Sequence, residues 1–181
     1  MAGPTKKTRD MAYIALFSVL LAVCSWISVP TAVPFTMQTL GVFLAVVVLG
    51  GRRGTLAVAV YLLMGAVGIP VFSGFTGGLG RLLHVTGGYL VGFLLCALVM
   101  WALERLLGRK TWALCLSMAA GLVVCYLFGS LWYMAVYART SGAVGFGAVL
   151  TWCVLPFLIP DAVKIALALL IGRRLSGLLK I

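Results

Sequence analysis

Two side chains of opposite charge stand three residues apart in the last apolar stretch of the chain, Asp161 and Lys164 in the run Pro160-Asp161-Ala162-Val163-Lys164. On a helix that spacing puts both on one face. A charged side chain near the centre of a bilayer costs roughly 2.5 to 3.5 kcal/mol on insertion scales, so an acid and a base kept together there line a cavity, a relay or a ligand site. Gln38 offers an amide that both donates and accepts, and Tyr89 in Thr86-Gly87-Gly88-Tyr89 adds a hydroxyl and a ring. Phe72, Gly74 and Trp132 suit the wall of a pocket, and Arg81 suits either a carboxylate at its mouth or plain solvation. Structural readings stand beside these: an ion pair that only braces helices, a Gln38 that bonds a neighbouring helix, and Tyr89 and Trp132 as interfacial belt aromatics. The chain has three acids and one histidine, His84. No nucleophile and base, and no metal-ligand cluster, can be assembled from them, which argues against an enzyme and against a metal site.

The elements that must hold these residues are set by composition. Of 181 residues, 64% are hydrophobic and 9% charged, against roughly 25% charged in soluble domains. That composition is an integral membrane protein. The net charge of +11 does not point to nucleic acid, because the cations do not spread over a basic face. They cluster at segment ends instead: Lys6, Lys7 and Arg9; Arg52 and Arg53; Arg105, Arg109 and Lys110; Arg173, Arg174 and Lys180. Between the clusters lie six apolar stretches, about Met11 to Ser28, Thr36 to Leu49, Thr55 to Gly68, Thr86 to Leu107, Trp112 to Tyr137 and Leu150 to Ile171, of which the second and third are short for a span. The expected architecture is all-α, six transmembrane helices in one domain over residues 1–181, with a short tail at 1–10. Six spans put both termini and all four clusters on one side, which the positive-inside rule makes cytoplasmic. The first apolar run ends at Val29-Pro30 without a small-x-small cleavage site, and five more spans follow, so it is read as helix one and not as a cleaved signal. Cys24, Cys96, Cys115, Cys125 and Cys153 are scattered without a C-x-x-C pair and read as small packing residues.

Two loops on the side away from the clusters differ from simple turns. The uncharged run Val29 to Thr36 carries Pro30 and Pro34, which stiffen an extended path suited to a lid. The run Gly68 to Gly80 is rich in glycine and includes Phe72 and Phe75, combining close backbone approach with an apolar surface. Pro156 and Pro160 are expected to interrupt the sixth helix, placing Asp161 in the first turn of a segment restarted at Pro160, where free N–H groups favour an anion. From Asp161 to Arg173 the rise is about 18 Å at about 1.5 Å per residue, which puts the pair in the outer half of a roughly 30 Å apolar layer. On helix one, Ala15, Ser18 and Ala22 form a small-residue stripe that lets another helix approach, either a partner's or one of this bundle. Gly108-Arg109-Lys110-Thr111 looks like the end of a P-loop, but Arg109 stands where the second glycine must be.

Four runs, in order, carry a resemblance: Val33-Pro34-Phe35-Thr36-Met37-Gln38-Thr39-Leu40; Tyr61 to Phe72, read YLLMGAVGIPVF; Thr86 to Phe93, read TGGYLVGF; and Pro156-Phe157 with Asp161 and Lys164. Over Met11 to Ile171 the chain resembles BioY, the biotin-specific substrate-binding (S) component of energy-coupling factor (ECF) transporters. The resemblance implies the six-helix S-component fold in a prokaryotic cell membrane and capture of biotin from outside. It also implies a transmembrane coupling protein and two cytoplasmic ATPases as partners, so that ATP is hydrolysed by those subunits and no cofactor resides in this chain. Asp161 and Lys164 match the family's site, Asp161 accepting from the ureido N–H groups and Lys164 donating to the carbonyl or the tail carboxylate. Gln38 matches its T-x-Q position, with Met37 between. The helix-one stripe corresponds to a face that meets the coupling protein. Leu83-His84-Val85 departs from a usual Gly-Pro before Thr86-Gly87-Gly88, which bears on the entry to the fourth span. A solitary biotin transporter, or an S component for another vitamin, remains the alternative.

Overall fold

Apolar runs bounded by glycine, proline and basic residues become the helices. The computed structural model describes residues 5–29, 35–140 and 142–179. The order is α1 (Lys6–Trp26), β1 (Ser28–Val29), β2 (Phe35–Thr36), α2 (Gln38–Leu49), α3 (Gly51–Ala66), α4 (Leu79–Leu83), α5 (Gly87–Leu107), α6 (Thr111–Thr140), α7 (Phe146–Cys153) and α8 (Leu155–Leu179). Most of the proline-rich loop expected to act as a lid, residues 30–34, lies outside the described residues, as do residues 1–4 of the tail and Lys180. Its base is closed by β1 and β2, which pair antiparallel with Ser28 opposite Thr36 and Val29 opposite Phe35.

Four helices are long and apolar enough to cross a membrane, namely α1, α5, α6 and the Leu155–Leu175 part of α8. The two short stretches behave differently. The α2 helix has 12 residues and α3 has 16, rising about 18 and 24 Å where the apolar layer is about 30 Å. They form a hairpin joined by Gly50 alone, whose φ of +85° is a left-handed conformation that glycine adopts without strain. The α2 helix is apolar on every side and buried on every side from Gly41 to Leu49, as expected of a central helix. It packs against α1, α3, α5 and α8. At its far end Arg109, in the α5–α6 link, donates to Glu104 at 2.8 Å and to the Val47 carbonyl, while Glu104 accepts from the Gly51 N–H at 2.7 Å. The stretch that looks like a P-loop is thus a clasp on the α2–α3 corner.

One expectation is overturned and two others are made specific. The last apolar stretch is two helices, split at Val154, and α8 then runs unbroken through Pro160. Pro156 falls in the first turn of α8, where its missing N–H costs nothing, and Pro160 forfeits a single bond within a helix held by its neighbours. Asp161 is therefore in the second turn, and side chains, not a helix end, stabilise it. The Ala15–Ser18–Ala22 stripe is not an open face either. Ser18 and Ala22 are 1% and 3% exposed, and the Ser18 hydroxyl sits 2.8 Å from the Ile14 carbonyl and 2.9 Å from that of Ala57 on α3. The stripe packs α1 against α3, leaving only Ala15 outside. Finally, the glycine-rich run is partly ordered by its own bonds. The Phe72 N–H donates to the Thr76 carbonyl at 2.9 Å, around Gly74 at φ +71° and Phe75 at φ +55°. The Phe75 ring stacks on Trp26 at 5.0 Å, and the Trp26 indole N–H donates to the Pro70 carbonyl at 3.1 Å. The loop is pinned to the end of α1.

Candidate ligand-binding site

One end of the bundle holds a cavity bounded by α2, α5, α6 and α8 and rimmed by the glycine-rich loop and α4. Its charged wall comes from α8, where Phe157, Asp161 and Lys164 recur at helical spacing along one face. Opposite stand Thr36 of β2 and Gln38 and Thr39 of α2; α5 contributes Tyr89, Leu90 and Phe93, α6 contributes Cys125 and Tyr126, and α7 contributes Cys153. Ser73 and Arg81 lie at the rim and Thr86 at the start of α5. The wall is mostly apolar, with polar atoms gathered at two places, the pattern of a small-molecule site.

The deeper of these places is an ion pair closed by hydrogen bonds. Asp161 is 2% exposed and Lys164 3%. Lys164 Nζ donates to Asp161 Oδ1 at 2.7 Å, to Thr39 Oγ1 at 2.9 Å and to the Thr36 carbonyl at 2.7 Å. All three ammonium donors are thereby used. The ammonium also lies 4.3 Å from the centroid of the Phe35 ring, a cation–π contact. The Thr39 hydroxyl in turn donates to Asp161 Oδ1 at 2.9 Å, and the Tyr126 hydroxyl donates to Oδ2. Three donors on a carboxylate with about four acceptor sites leave room for a ligand N–H. A pair this dry needs such a network, because desolvation otherwise outweighs the Coulomb gain.

The sequence-predicted residues separate into two groups. Asp161, Lys164, Gln38 and Tyr89 line the cavity, whereas Phe72, Gly74 and Trp132 do not. Gln38 is already committed: its amide donates to the Tyr61 hydroxyl at 2.6 Å and its carbonyl accepts from Thr36 at 2.9 Å. Tyr89 lies against α6, its hydroxyl 3.2 Å from Ser130 Oγ. Gly129 permits this, since a Cβ there would come within 2.2 Å of the Tyr89 ring. Phe72 is fully buried behind the loop, edge-on to Tyr61 at 5.6 Å. The Trp132 indole N–H donates to the His84 carbonyl at 3.1 Å, fixing the turn into α5. His84 Nδ1 is 3.3 Å from Thr86 Oγ1, so this unusual residue helps to shape that turn.

Sequence reasoning missed Thr39, Tyr126 and Phe157 as site residues. Thr39 had a signal, since it follows Gln38 in the run that carries the resemblance. Tyr126 had none, being one aromatic in a long apolar helix. Phe157 stands in the last run that carries the resemblance, and it stacks on Phe35 of β2 at 6.0 Å. Cys125 and Cys153, read as packing residues, also face the cavity. The five cysteines are free thiols, and all but Cys115 are buried.

A cavity of this kind within a bundle of apolar helices defines a membrane-embedded solute-binding protein. Its fold matches a solved structure, described as the S-component for biotin from an ECF-type ABC transporter, with a TM-score of 0.85 over 98% of this chain and 95% of that one, at 22% identity. Residues 1–180 match the BioY family. The Thermotoga maritima protein named "Biotin transporter BioY" is 41% identical over 94% of this chain and 97% of its own length. The Pyrococcus horikoshii protein named "Probable biotin transporter BioY" is 39% identical over 94% and 98% respectively. The chain belongs to the BioY family.

Proposed function

We propose that this chain is the membrane-embedded biotin-binding component of an ECF-type transporter, and not an enzyme. The observation that carries the reading is the Asp161–Lys164 pair, buried, with every ammonium proton of Lys164 committed and an acceptor site on Asp161 left open, in the wall of the cavity. Biotin has a ureido group with two N–H donors and a carbonyl, an apolar thioether ring, and a carboxylate on a chain. Asp161 accepts the ureido N–H groups at its free lone pair and by exchange of the Tyr126 or Thr39 bond. Lys164 gives up the Thr36 carbonyl to reach the ureido oxygen. Leu90, Phe93 and Phe157 cover the thioether ring. Arg81, which has no acidic partner among the described residues, takes the tail carboxylate at the rim together with Ser73. Gln38 and Tyr89 hold the walls in place, while Phe72, Gly74 and Trp132 act one layer further out by shaping the loop and the turn into α5.

In this reading the chain crosses the membrane six times, α2 and α3 as short spans and α7 with α8 as one. Both termini are cytoplasmic, and the cavity opens outward. A coupling protein and two ATPases complete the transporter, and Ala15 belongs to the side of α1 that remains open to a neighbour. Uptake of labelled biotin by a biotin-auxotrophic bacterial host, with and without those three partners, tests this. Uptake only with all three is expected; uptake of riboflavin in place of biotin would overturn the substrate, and full uptake without partners would favour a solitary transporter.

A further inference from the structure

A second recess, of about 880 Å³, lies at the end of the bundle that carries the basic clusters, between the start of α1, the α2–α3 corner and the end of α5. Five cations border it, Lys6, Lys7, Arg52, Arg53 and Arg105, against two acids. Both acids are engaged. Asp10 pairs with Arg53 at 3.1 Å, and Glu104 is held by Arg109 and the Gly51 N–H. Arg105 lies over the Trp101 ring at 4.7 Å. Among the described residues no carboxylate pairs with Lys6, Lys7 or Arg52, and all three are exposed.

The apolar part of the same recess is displaced along the helices. Met11 follows Lys7, and Leu56 follows Arg52, by four residues each, a rise of about 6 Å. These two side chains line the recess and are 56% and 44% exposed. Cations at the boundary with uncovered apolar side chains about 6 Å deeper repeat the order of a phospholipid, anionic phosphate first and acyl chain beneath. A soluble anion would use the cations and leave Met11 and Leu56 uncovered. We infer that the recess between α1, α3 and α5 is a binding site for an anionic phospholipid, its phosphate held by Lys6, Lys7 and Arg52 and its chain lying along Met11 and Leu56. A basic pocket between membrane helices is the setting in which anionic headgroups are bound.

Native mass spectrometry of the full chain in detergent tests this, using palmitoyl-oleoyl phosphatidylglycerol, the matching phosphatidylcholine, and glycerol 1-phosphate as a soluble headgroup. Phosphatidylglycerol is expected to stay bound, phosphatidylcholine to be lost, and glycerol 1-phosphate not to compete. A Lys7→Gln/Arg52→Gln variant weakens phosphatidylglycerol binding about tenfold or more, at about 1 kcal/mol per cation. Lys110→Gln/Arg139→Gln, which removes as much charge elsewhere, leaves it within about twofold. Lys6→Gln/Lys7→Gln, altered only in the exposed first turn of α1, serves if the first variant does not fold. Equal retention of the two lipids, equal weakening by both charge-matched variants, competition by glycerol 1-phosphate, or a purified coupling protein that needs Arg52 when the lipid does not, would each overturn the site.

Discussion

An ammonium with all three of its protons committed, as on Lys164, is a fixed group and not a mobile charge. Thr39 and Tyr126 share the work of orienting Asp161, so a ligand would meet a fixed acceptor and lose little in ordering it. Asp161→Asn puts an amide donor where a ureido N–H must donate, and it leaves the Lys164 cation without its partner. Biotin affinity should fall by about 2 kcal/mol or more, roughly thirtyfold, as read by equilibrium binding, and the thermal transition should fall with it. Tyr126→Phe removes one donor and keeps the charge pair, so its loss of affinity should be smaller than that of Asp161→Asn. Equal losses would mean that the phenol, and not the carboxylate, carries recognition.

The α5–α6 pair is the element on which the cavity depends. Gly129 faces the Tyr89 ring and Gly88 faces Trp132, with an added Cβ meeting the Tyr89 ring at 2.2 Å and the Trp132 Cβ at 2.3 Å; both contacts hold α5 close to α6. Gly129→Leu should displace Tyr89 and cost about 3 kcal/mol, the upper end of the range typical of overpacking. Gly147→Leu on α7, where a Cβ meets nothing, should leave folding unchanged; a thermal melt by size-exclusion recovery separates the two. Element positions were largely legible in the sequence because apolar runs and basic punctuation are strong signals in a membrane protein. The starts of α2, α5 and α6 fall within two residues of the expected boundaries. What was not legible depends on tertiary contact. Val154 carries no breaker residue, and the helix split there sets Asp161 a turn further in than the prolines suggested. Ser18 and Ala22 were legible as small and not as inward, since a close-packing stripe reads alike whether its partner is α3 or another protein. At the site, Asp161 and Lys164 stand out as charges in an apolar run. Tyr126 does not, because aromatic residues are common in such runs, and Phe157 is marked only by its place beside Pro156 in the run that carries the resemblance.

For the whole molecule, the charge asymmetry and the cavity define opposite ends. The clasp of Arg109, Glu104 and Gly51 and the basic recess mark one end; Arg81, Ser73 and the loop pinned by Trp26 and Phe75 mark the other. If the basic end is cytoplasmic, a cysteine placed at Lys110 in a cysteine-free parent should react with an impermeant maleimide only in inverted vesicles, and one at Arg81 only in right-side-out vesicles. The reverse pattern would put the cavity mouth on the inner side and contradict capture from outside. Whether the cavity holds biotin can be read whichever way the chain faces. The measurement is equilibrium binding of radiolabelled biotin to the purified chain in detergent, with desthiobiotin and riboflavin as competitors. Saturable binding of about one biotin per chain, displaced by desthiobiotin, which keeps the ureido group and the carboxylate, and untouched by riboflavin, is the result predicted from the donors and acceptors of the site. No saturable binding by protein that runs as a single folded species would contradict the account.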